Sequence, residues 1–459
     1  MTSDVAPATA ADEPVSPMTV LRSRKYLGLL GLAAILGVPI SAVAYWFLAL
    51  VGGLQRWSFT SVPAALGFAV PPLWWPLIPL GVAGGVVGVV IRYVPGHGGE
   101  SPADGFKAGG YPGTVEMGGI AAAAIASIGL GVVVGPEAPL IALGGGLAVL
   151  AVRLARRGDV PANVASVVAA TGSFAAVSTL FGSPLAGAFL MMEASGLGGA
   201  TATMVLIPGL LGAGIGSLVF LGLDSWTGHG TFSLAVSDLP AVGSPTISAF
   251  LWALVAGAAA ALLCWGIRAA ALRVRPVVAR RTLLLTPVVG LAIAGLAIVY
   301  TALTGHAVSE VLFSGQDALG PLLRDPAVYG VGALLLLIVC KGLAYAGGLA
   351  AFRGGPTFPA MFIGAVGGTA LAHLPGLDAL SGAAIGMGAM TVGMLRLPMT
   401  SVLLATLFLG GTGLTVMPLV IVGVVVSYVV TLRLPDPGPA PIPDPTPASE
   451  PAPEPGRTP

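Results

Sequence analysis

Two short phrases interrupt the apolar sequence, and each has the composition of a helix start. Residues 135–139 read Gly-Pro-Glu-Ala-Pro, and residues 355–359, 220 positions later, read Gly-Pro-Thr-Phe-Pro. Proline is favoured in the first turn of a helix, because an N–H there would have no partner within the helix. The first N–H groups of a helix carry the positive end of its dipole, so each phrase predicts a site that attracts an anion.

The residues of these phrases are the candidate site. Glu137 lies where an anion would otherwise sit, and acidic residues within membrane segments are generally functional. We expect its carboxylate to occupy the N–H groups at Ala138 and Leu140, and to move away when it is protonated or displaced, so that Glu137 gates the path. The alternative is that Glu137 only complements its helix dipole. Thr357 and Phe358 are expected to line the opposite site, with ordinary packing as the alternative.

Composition places the chain in a membrane. Of its 459 residues, 56% are hydrophobic and 8% are charged, whereas a soluble domain has roughly a quarter charged residues. The net charge of +1 excludes nucleic acid as a partner. Cys264 and Cys340 lie in apolar runs, so no disulfide framework is expected. The four histidines show no ligand spacing, and the sequence predicts no metal site, no cofactor and no enzymatic activity.

The apolar segments vary in length, which favours a transporter core over a simple bundle. Several are shorter than the ~20 residues that cross the hydrocarbon upright, so tilted and broken helices are expected. The chain is divided into a disordered cytoplasmic tail, 1–25, a membrane domain, 26–432, and a Pro-rich disordered tail, 433–459.

The membrane domain is expected to consist of two homologous halves, about 26–267 and 283–432. Besides the two phrases, Gly172 and Pro184 have counterparts 214 positions later in Gly386 and Pro398. Such a duplication is typical of transporters, often with inverted topology.

Three basic clusters predict the orientation. By the positive-inside rule they and the amino terminus lie on the cytoplasmic side of the membrane. Lys341 and Arg353, near the second phrase, either raise the positive potential of the site or extend to the membrane interface. The clusters are Arg22, Arg24 and Lys25; Arg153, Arg156 and Arg157; and Arg268, Arg273, Arg275, Arg280 and Arg281.

These phrases resemble motifs of the CLC family of chloride channels and chloride/proton antiporters, over about residues 26 to 432. Residues 135–139 look like the Gly-Arg-Glu-Gly-Pro motif, which places Glu137 on the family's gating glutamate. Residues 181–187 are similar to its Asn-Ala-Pro-Leu-Ala-Gly helix, and 354–359 to its Gly-x-Phe-x-Pro motif. Further similar stretches, in family order, are 386–389 and 396–400.

The resemblance implies an all-α integral membrane protein with two homologous halves, arranged as an inverted repeat of tilted and broken helices. It further implies a homodimer with one anion path per subunit, surrounded by lipid in the cytoplasmic membrane. The expected function is transport of chloride, or a similar small monovalent anion, with protons as a second substrate left open.

The sequence departs from the family pattern at the inner side of the path. The first family motif is loosely met by 96–102, where Ser101 would contact the anion or simply cap a helix. The inner proton-transfer glutamate of the antiporters falls on Ala194, next to Glu193. Glu193 is therefore a weak candidate for the proton pathway, with pairing to an arginine of 153–157 as the alternative.

Three functions stay open from the sequence alone. A glutamate-gated chloride pathway, either a channel or an exchanger, is the first. A transporter of another anion such as fluoride is the second, and a membrane scaffold that binds an anion without moving it is the third.

Overall fold

The computed structural model describes residues 21–106 and 111–438, except for 179, 182, 197, 198, 231, 233–235, 237 and 238. The described residues form helices and turns without a β-strand, which confirms the all-α prediction. Most of the two predicted tails, 1–20 and 439–459, lies outside the described residues.

The first half of the chain contains eight helices among the described residues. They are α1 (Arg24–Arg56), α2 (Val62–Ala65), α3 (Leu77–Tyr93), α4 (Thr114–Gly129), α5 (Glu137–Arg156), α6 (Ala162–Ala176), α7 (Pro184–Ser195) and α8 (Gly199–Thr227).

The second half contributes eight more to the described structure. They are α9 (Ile247–Arg280), α10 (Thr282–Thr304), α11 (Gln316–Arg324), α12 (Val331–Ala351), α13 (Thr357–Leu371), α14 (Ala379–Leu395), α15 (Pro398–Phe408) and α16 (Gly413–Arg433).

Helix lengths agree with a multi-pass membrane protein. Within the described residues, seven helical stretches are long and apolar enough to span a bilayer, and six further apolar helices are shorter. Helix α13 has 15 residues, so it extends about 22 Å at 1.5 Å per residue, less than the ~30 Å hydrocarbon core. A helix of this length is able to begin in mid-membrane, as the sequence predicted.

Both predicted tails are slightly too long at their inner ends. Helix α1 begins at Arg24, where the Ser23 hydroxyl caps it by accepting from the Tyr26 N–H at 3.1 Å. At the other end the Trp265 indole N–H donates to the Pro435 carbonyl at 2.8 Å. Local hydrogen bonds therefore order residues that composition alone assigned to the tails.

The packing of the helices repeats between the halves. Each contact between two helices of the first half has a counterpart in the second half, when α1, α3 and α4–α8 are matched with α9, α10 and α12–α16. Two contacts join matched helices across the halves, α3 with α10 and α7 with α15. The contacts that recur are α1 with α4, α5, α6 and α8; α3 with α4; α4 with α5; α5 with α6; α6 with α7 and α8; and α7 with α8.

This packing moves the division between the halves. The sequence placed the apolar segment up to residue 267 in the first half, but α9 has the packing partners of a first helix, matching α1. We therefore propose that the division lies between α8 and α9. The sequence signal misled because the basic cluster at the end of α9 marks a membrane surface, and that surface is not the boundary of the repeat.

Glycine pairs bring the central helices of each half into close contact. A Cβ atom on Gly144 would lie 2.6 Å from the carbonyl oxygen of Gly172, which joins α5 to α6. In the second half, Gly364 of α13 and Gly386 of α14 face each other's carbonyl oxygens in the same way. The two glycine pairs occupy matched positions in the two halves. The duplication of these glycines therefore duplicates a close contact between helices.

Gly386→Ala is expected to destabilise the protein by about 1–3 kcal/mol, because its methyl group would overlap the backbone of α13. Thermal unfolding of the detergent-solubilised protein measures the effect. Gly295→Ala in α10 is the matched control, since a Cβ there meets no atom within 4 Å. Equal stability of the two variants would contradict the close packing of α13 on α14.

Candidate anion site

The two Gly-Pro phrases meet in the folded chain. The Gly135 N–H donates to the Gly355 carbonyl at 2.8 Å, and the Gly355 N–H donates to the Gly135 carbonyl at 2.6 Å. Helices α5 and α13 each begin two residues after this antiparallel bridge. The bridge therefore holds two helix N-termini, with their positive dipole ends, beside one another.

The Glu137 side chain lies between the two helix starts. It is completely buried, and its Oε1 atom accepts a hydrogen bond from the Thr357 N–H at 2.5 Å. The carboxylate of the first phrase thus occupies the N-terminus of the helix that follows the second phrase. This hydrogen bond places a carboxyl oxygen at the positive end of the α13 dipole.

This arrangement corrects the predicted contacts of Glu137. The sequence placed the carboxylate on the N–H groups of its own helix, at Ala138 and Leu140. The Leu140 N–H instead donates to the Pro136 carbonyl at 3.1 Å. The Ala138 N–H has no acceptor among the described residues. The Gly135–Gly355 bridge causes the difference, because it brings the free Thr357 N–H to the carboxylate.

Two polar atoms of the site have hydrogen-bonding capacity that the protein does not use. Glu137 Oε2 and Thr357 Oγ1 are buried, and neither has a partner among the described residues. A buried polar atom without a partner costs free energy. Together with the Ala138 N–H they form a small polar region enclosed by apolar helices.

The glycines of the bridge are required by the carboxylate. A Cβ atom on Gly355 would lie 2.5 Å from Glu137 Cγ, and one on Gly135 would lie 2.9 Å from Glu137 Cδ. Any larger residue at either position would displace the Glu137 side chain. Glycine therefore supplies the space in which the buried carboxylate lies.

Phe358 contributes packing through its ring. The ring stacks on Phe181 with centroids 5.4 Å apart and lies 6.3 Å from the ring of Phe408. The Phe358 N–H has no acceptor among the described residues. The structure therefore shows the packing of the ring, and the backbone N–H has no protein acceptor in the described part of the chain.

Tyr345 is a site residue that the sequence reasoning missed. This buried residue of α12 donates its hydroxyl hydrogen to the Pro356 carbonyl at 2.6 Å and so holds the second helix start in place. A tyrosine within a mostly apolar helix is a signal for such a contact, because its hydroxyl needs a partner when buried.

Ser101 lies in a cavity on one side of the bridge. The cavity has a volume of about 440 Å³, and its wall includes Ser101, Ala138 and Pro356. The Ser101 hydroxyl donates to the Leu349 carbonyl at 3.4 Å and makes no bond that caps the following 3₁₀ turn. The helix-cap alternative is therefore wrong, and Ser101 shares this cavity with the first turn of α5.

Arg353 fixes the glycine-rich loop that carries Ser101. Its guanidinium Nε and Nη2 atoms donate to the His97 carbonyl at 3.3 and 3.1 Å. Arg353 therefore links the loop of the first half to the second helix start.

Lys341 does not extend to the membrane interface. Its side chain is completely buried, and the ammonium donates to the carbonyls of Glu310, Val311 and Leu312 at 2.9 to 3.1 Å. The same ammonium lies 4.7 Å from the centroid of the Phe362 ring. Lys341 therefore anchors the segment before α11 to the outside of α13.

Glu193 also has a structural role that differs from the predicted pairing. Its carboxylate accepts from the N–H groups of Met399 and Thr400 at 3.0 and 2.7 Å, and from the Thr400 hydroxyl at 2.6 Å. The partner is thus the N-terminus of α15, where the sequence suggested an arginine of 153–157. The interaction follows from the packing of α7 on its matched helix α15.

Comparison with known proteins agrees with this geometry. Residues 114–432 match the family model described as voltage gated chloride channel. A relative in Salmonella paratyphi A, named as an ion-transport protein, YfeO, is 30% identical over 363 residues, covering 78% of this chain and 84% of the relative. The chain belongs to the CLC family. It is therefore a multi-pass membrane protein of an anion-transport family.

Solved CLC structures share the fold. A slow cyanobacterial Cl⁻/H⁺ antiporter matches with a TM-score of 0.69 at 18% identity, covering 89% of this chain and 95% of that chain. A CLC-type fluoride/proton antiporter matches with a TM-score of 0.63 at 20% identity, covering 89% and 96%. These matches confirm the CLC fold, with its tilted and broken helices.

Glu193→Ala is expected to lower the free energy of unfolding by about 1–2 kcal/mol, because the N-terminus of α15 loses its acceptors. Thermal unfolding in detergent measures the loss. Glu193→Gln retains one acceptor oxygen and should lose less. If the alanine variant were as stable as the unmodified protein, Glu193 would not be holding α15.

Proposed function

We propose that this protein moves chloride, or a similar small monovalent anion, across the cytoplasmic membrane with Glu137 as the gate. The observation that carries the proposal is the bond from the Thr357 N–H to the buried Glu137 carboxylate, where two helix N-termini meet. This carboxylate occupies a position suited to a small anion, because it takes the backbone donor that such an anion would use.

Competition for the Thr357 N–H supplies the gating step. The ionised Glu137 carboxylate is attracted to the α13 N-terminus and excludes another anion from it. Protonation removes the charge and weakens this attraction, so the side chain leaves and an anion takes its place. The orphan Thr357 hydroxyl and the Phe358 N–H then become donors to the anion.

The cavity in which Ser101 lies is the route by which an anion reaches the gate from one side. Ser101 and Ala138 both line it, and we propose that they contact the passing anion. Leu140 is not part of this proposal, since its N–H is used within α5.

The orientation and assembly follow from charge and from the family. The loop after α3 meets the end of α9 through the Arg275–Asp104 ion pair and meets Arg353 through His97, so basic residues gather at this surface. We propose that this surface and the amino terminus are cytoplasmic. We also propose that two copies form a homodimer in the lipid bilayer, each with its own anion path.

Glu137→Ala is expected to make chloride efflux from liposomes rapid and independent of pH, because the competing carboxylate is gone. In the unmodified protein efflux should rise as the pH falls, since a protonated Glu137 no longer holds the α13 N-terminus. A chloride electrode records the efflux, with fluoride-loaded liposomes measured in parallel to determine the preferred anion.

Asp317→Asn, at an exposed acidic residue of α11, is the control and should leave efflux unchanged. An alanine variant with the same rate and pH dependence as the unmodified protein would exclude Glu137 as the gate. The absence of chloride and fluoride efflux from every preparation would favour the anion-binding scaffold instead.

Thr357→Val is expected to weaken the apparent affinity for the transported anion about tenfold while leaving thermal stability unchanged. The hydroxyl has no partner among the described residues, so its removal costs the fold little. Its hydrogen bond to an anion contributes about 1.4 kcal/mol or more, a factor of ten. Efflux measured against anion concentration distinguishes this contact from packing, which predicts lost stability and unchanged affinity.

A further inference from the structure

The wall of the cavity beside Ser101 includes both surface residues and chain neighbours of the gate. His97 and Glu100 on its wall are exposed, so the cavity opens to the surface there. Its wall also includes Ala138 and Pro356, the chain neighbours of Glu137 and Thr357. A cavity of about 440 Å³ has room for on the order of ten water molecules.

Ionisable groups line this cavity and are able to exchange protons with water in it. Among the described residues, the ionisable side chains in its wall are His97, Glu100, Tyr111, Glu116 and Arg353.

Glu116 is the carboxylate whose position in this wall is fixed. It lies in the first turn of α4, where its Oε2 atom accepts from the Gly113 N–H at 2.9 Å. Its stem packs against Gly96, where a Cβ atom would lie 2.6 Å from Glu116 Cγ. The Oε1 atom accepts no hydrogen bond from the described residues, and the side chain is half-buried. One oxygen thus fixes the group, and the other is left for water.

Glu193 is unsuited to carry protons to the gate. Both of its oxygens are held by the N-terminus of α15, and it does not line the cavity. A proton on either oxygen would remove an acceptor from that helix start. Glu193, which is next to the position of the family's inner proton-transfer glutamate, therefore has a structural role.

We propose that Glu116 passes protons through water in the cavity, between Glu137 and the protein surface that carries the Arg275–Asp104 ion pair. The proposal rests on the proposed function, since it requires Glu137 as the titrating gate. In one transfer the O–H bond of a protonated Glu116 breaks as water accepts the proton, and the water chain forms a new O–H bond on the Glu137 carboxylate. Glu116 then takes a proton from bulk water. No oxidant or further reactant is involved.

Glu116→Gln tests the assignment, because the glutamine oxygen still accepts from the Gly113 N–H but the side chain cannot carry a proton. Liposomes loaded with chloride are assayed with a chloride electrode and a pH electrode together. The expected result is proton uptake reduced at least tenfold with chloride efflux retained. Glu100→Gln, at the exposed mouth of the same cavity, is the matched control and should leave the ratio of protons to chloride unchanged.

Several outcomes would overturn the proposal. An unchanged proton-to-chloride ratio in Glu116→Gln would exclude Glu116 as the carrier, as would loss of both fluxes in a folded protein. Chloride efflux without proton movement in the unmodified protein would also exclude it, while leaving the proposed anion transport intact. Absence of any efflux from the unmodified protein would instead reject the proposed function.

A second pair of variants covers the case in which Glu116→Gln does not fold. Glu116→Asp retains an ionisable carboxylate, whereas Glu116→Asn does not, and both are one methylene shorter. The proposal expects proton uptake in the aspartate variant alone. Equal proton uptake in the two variants would contradict it.

Discussion

The structure depends on one contact between two segments of backbone, the pair of hydrogen bonds that joins Gly135 to Gly355. Two helices that start at a shared point inside a membrane leave their first N–H groups without water and without helical partners. The protein satisfies one of these donors with a carboxylate from the opposite phrase, so a buried acid is stabilised by a helix end with no cation bonded to it. The Glu137 carboxylate therefore has two roles. It completes the start of α13 by accepting a hydrogen bond, and it is the group able to compete with an anion for that donor.

Duplication explains why such a site forms. A single short helix of this kind would expose its start to lipid, whereas two matched halves place their starts against each other. The same matching packs α3 against α10 and α7 against α15. In the contact of α7 with α15, Glu193 accepts hydrogen bonds from the N-terminus of α15. Close glycine contacts in each half hold the central helices rigidly, so the helix starts stay aligned. Arg353 and Tyr345 then fix the loops at the centre by bonds to backbone carbonyls.

The acidic residues differ in how many of their carboxylate oxygens accept hydrogen bonds. Glu193 is bound on both oxygens, Glu310 accepts from the hydroxyls of Tyr300 and Tyr329, and each is held by these contacts. Glu137 and Glu116 each retain one oxygen without a partner among the described residues. A carboxylate with an unused oxygen is able to exchange a proton or a ligand at low cost, whereas one with both oxygens engaged must first break a helix cap.

The sequence by itself determined the membrane class, the duplicated phrases and the identity of Glu137 as the central acid, because hydropathy, Gly-Pro helix signals and an acidic residue within such a signal are local properties of the chain. It also predicted that the two phrases form helix starts, and α5 and α13 begin there. The tertiary structure alone decided which N–H group holds the Glu137 carboxylate, why Leu140 is not a donor, where the halves divide and what Glu193 and Tyr345 bind. Each of these is set by a contact between residues far apart in the chain, and side-chain spacing carries no information about which distant backbone group a carboxylate or hydroxyl will reach.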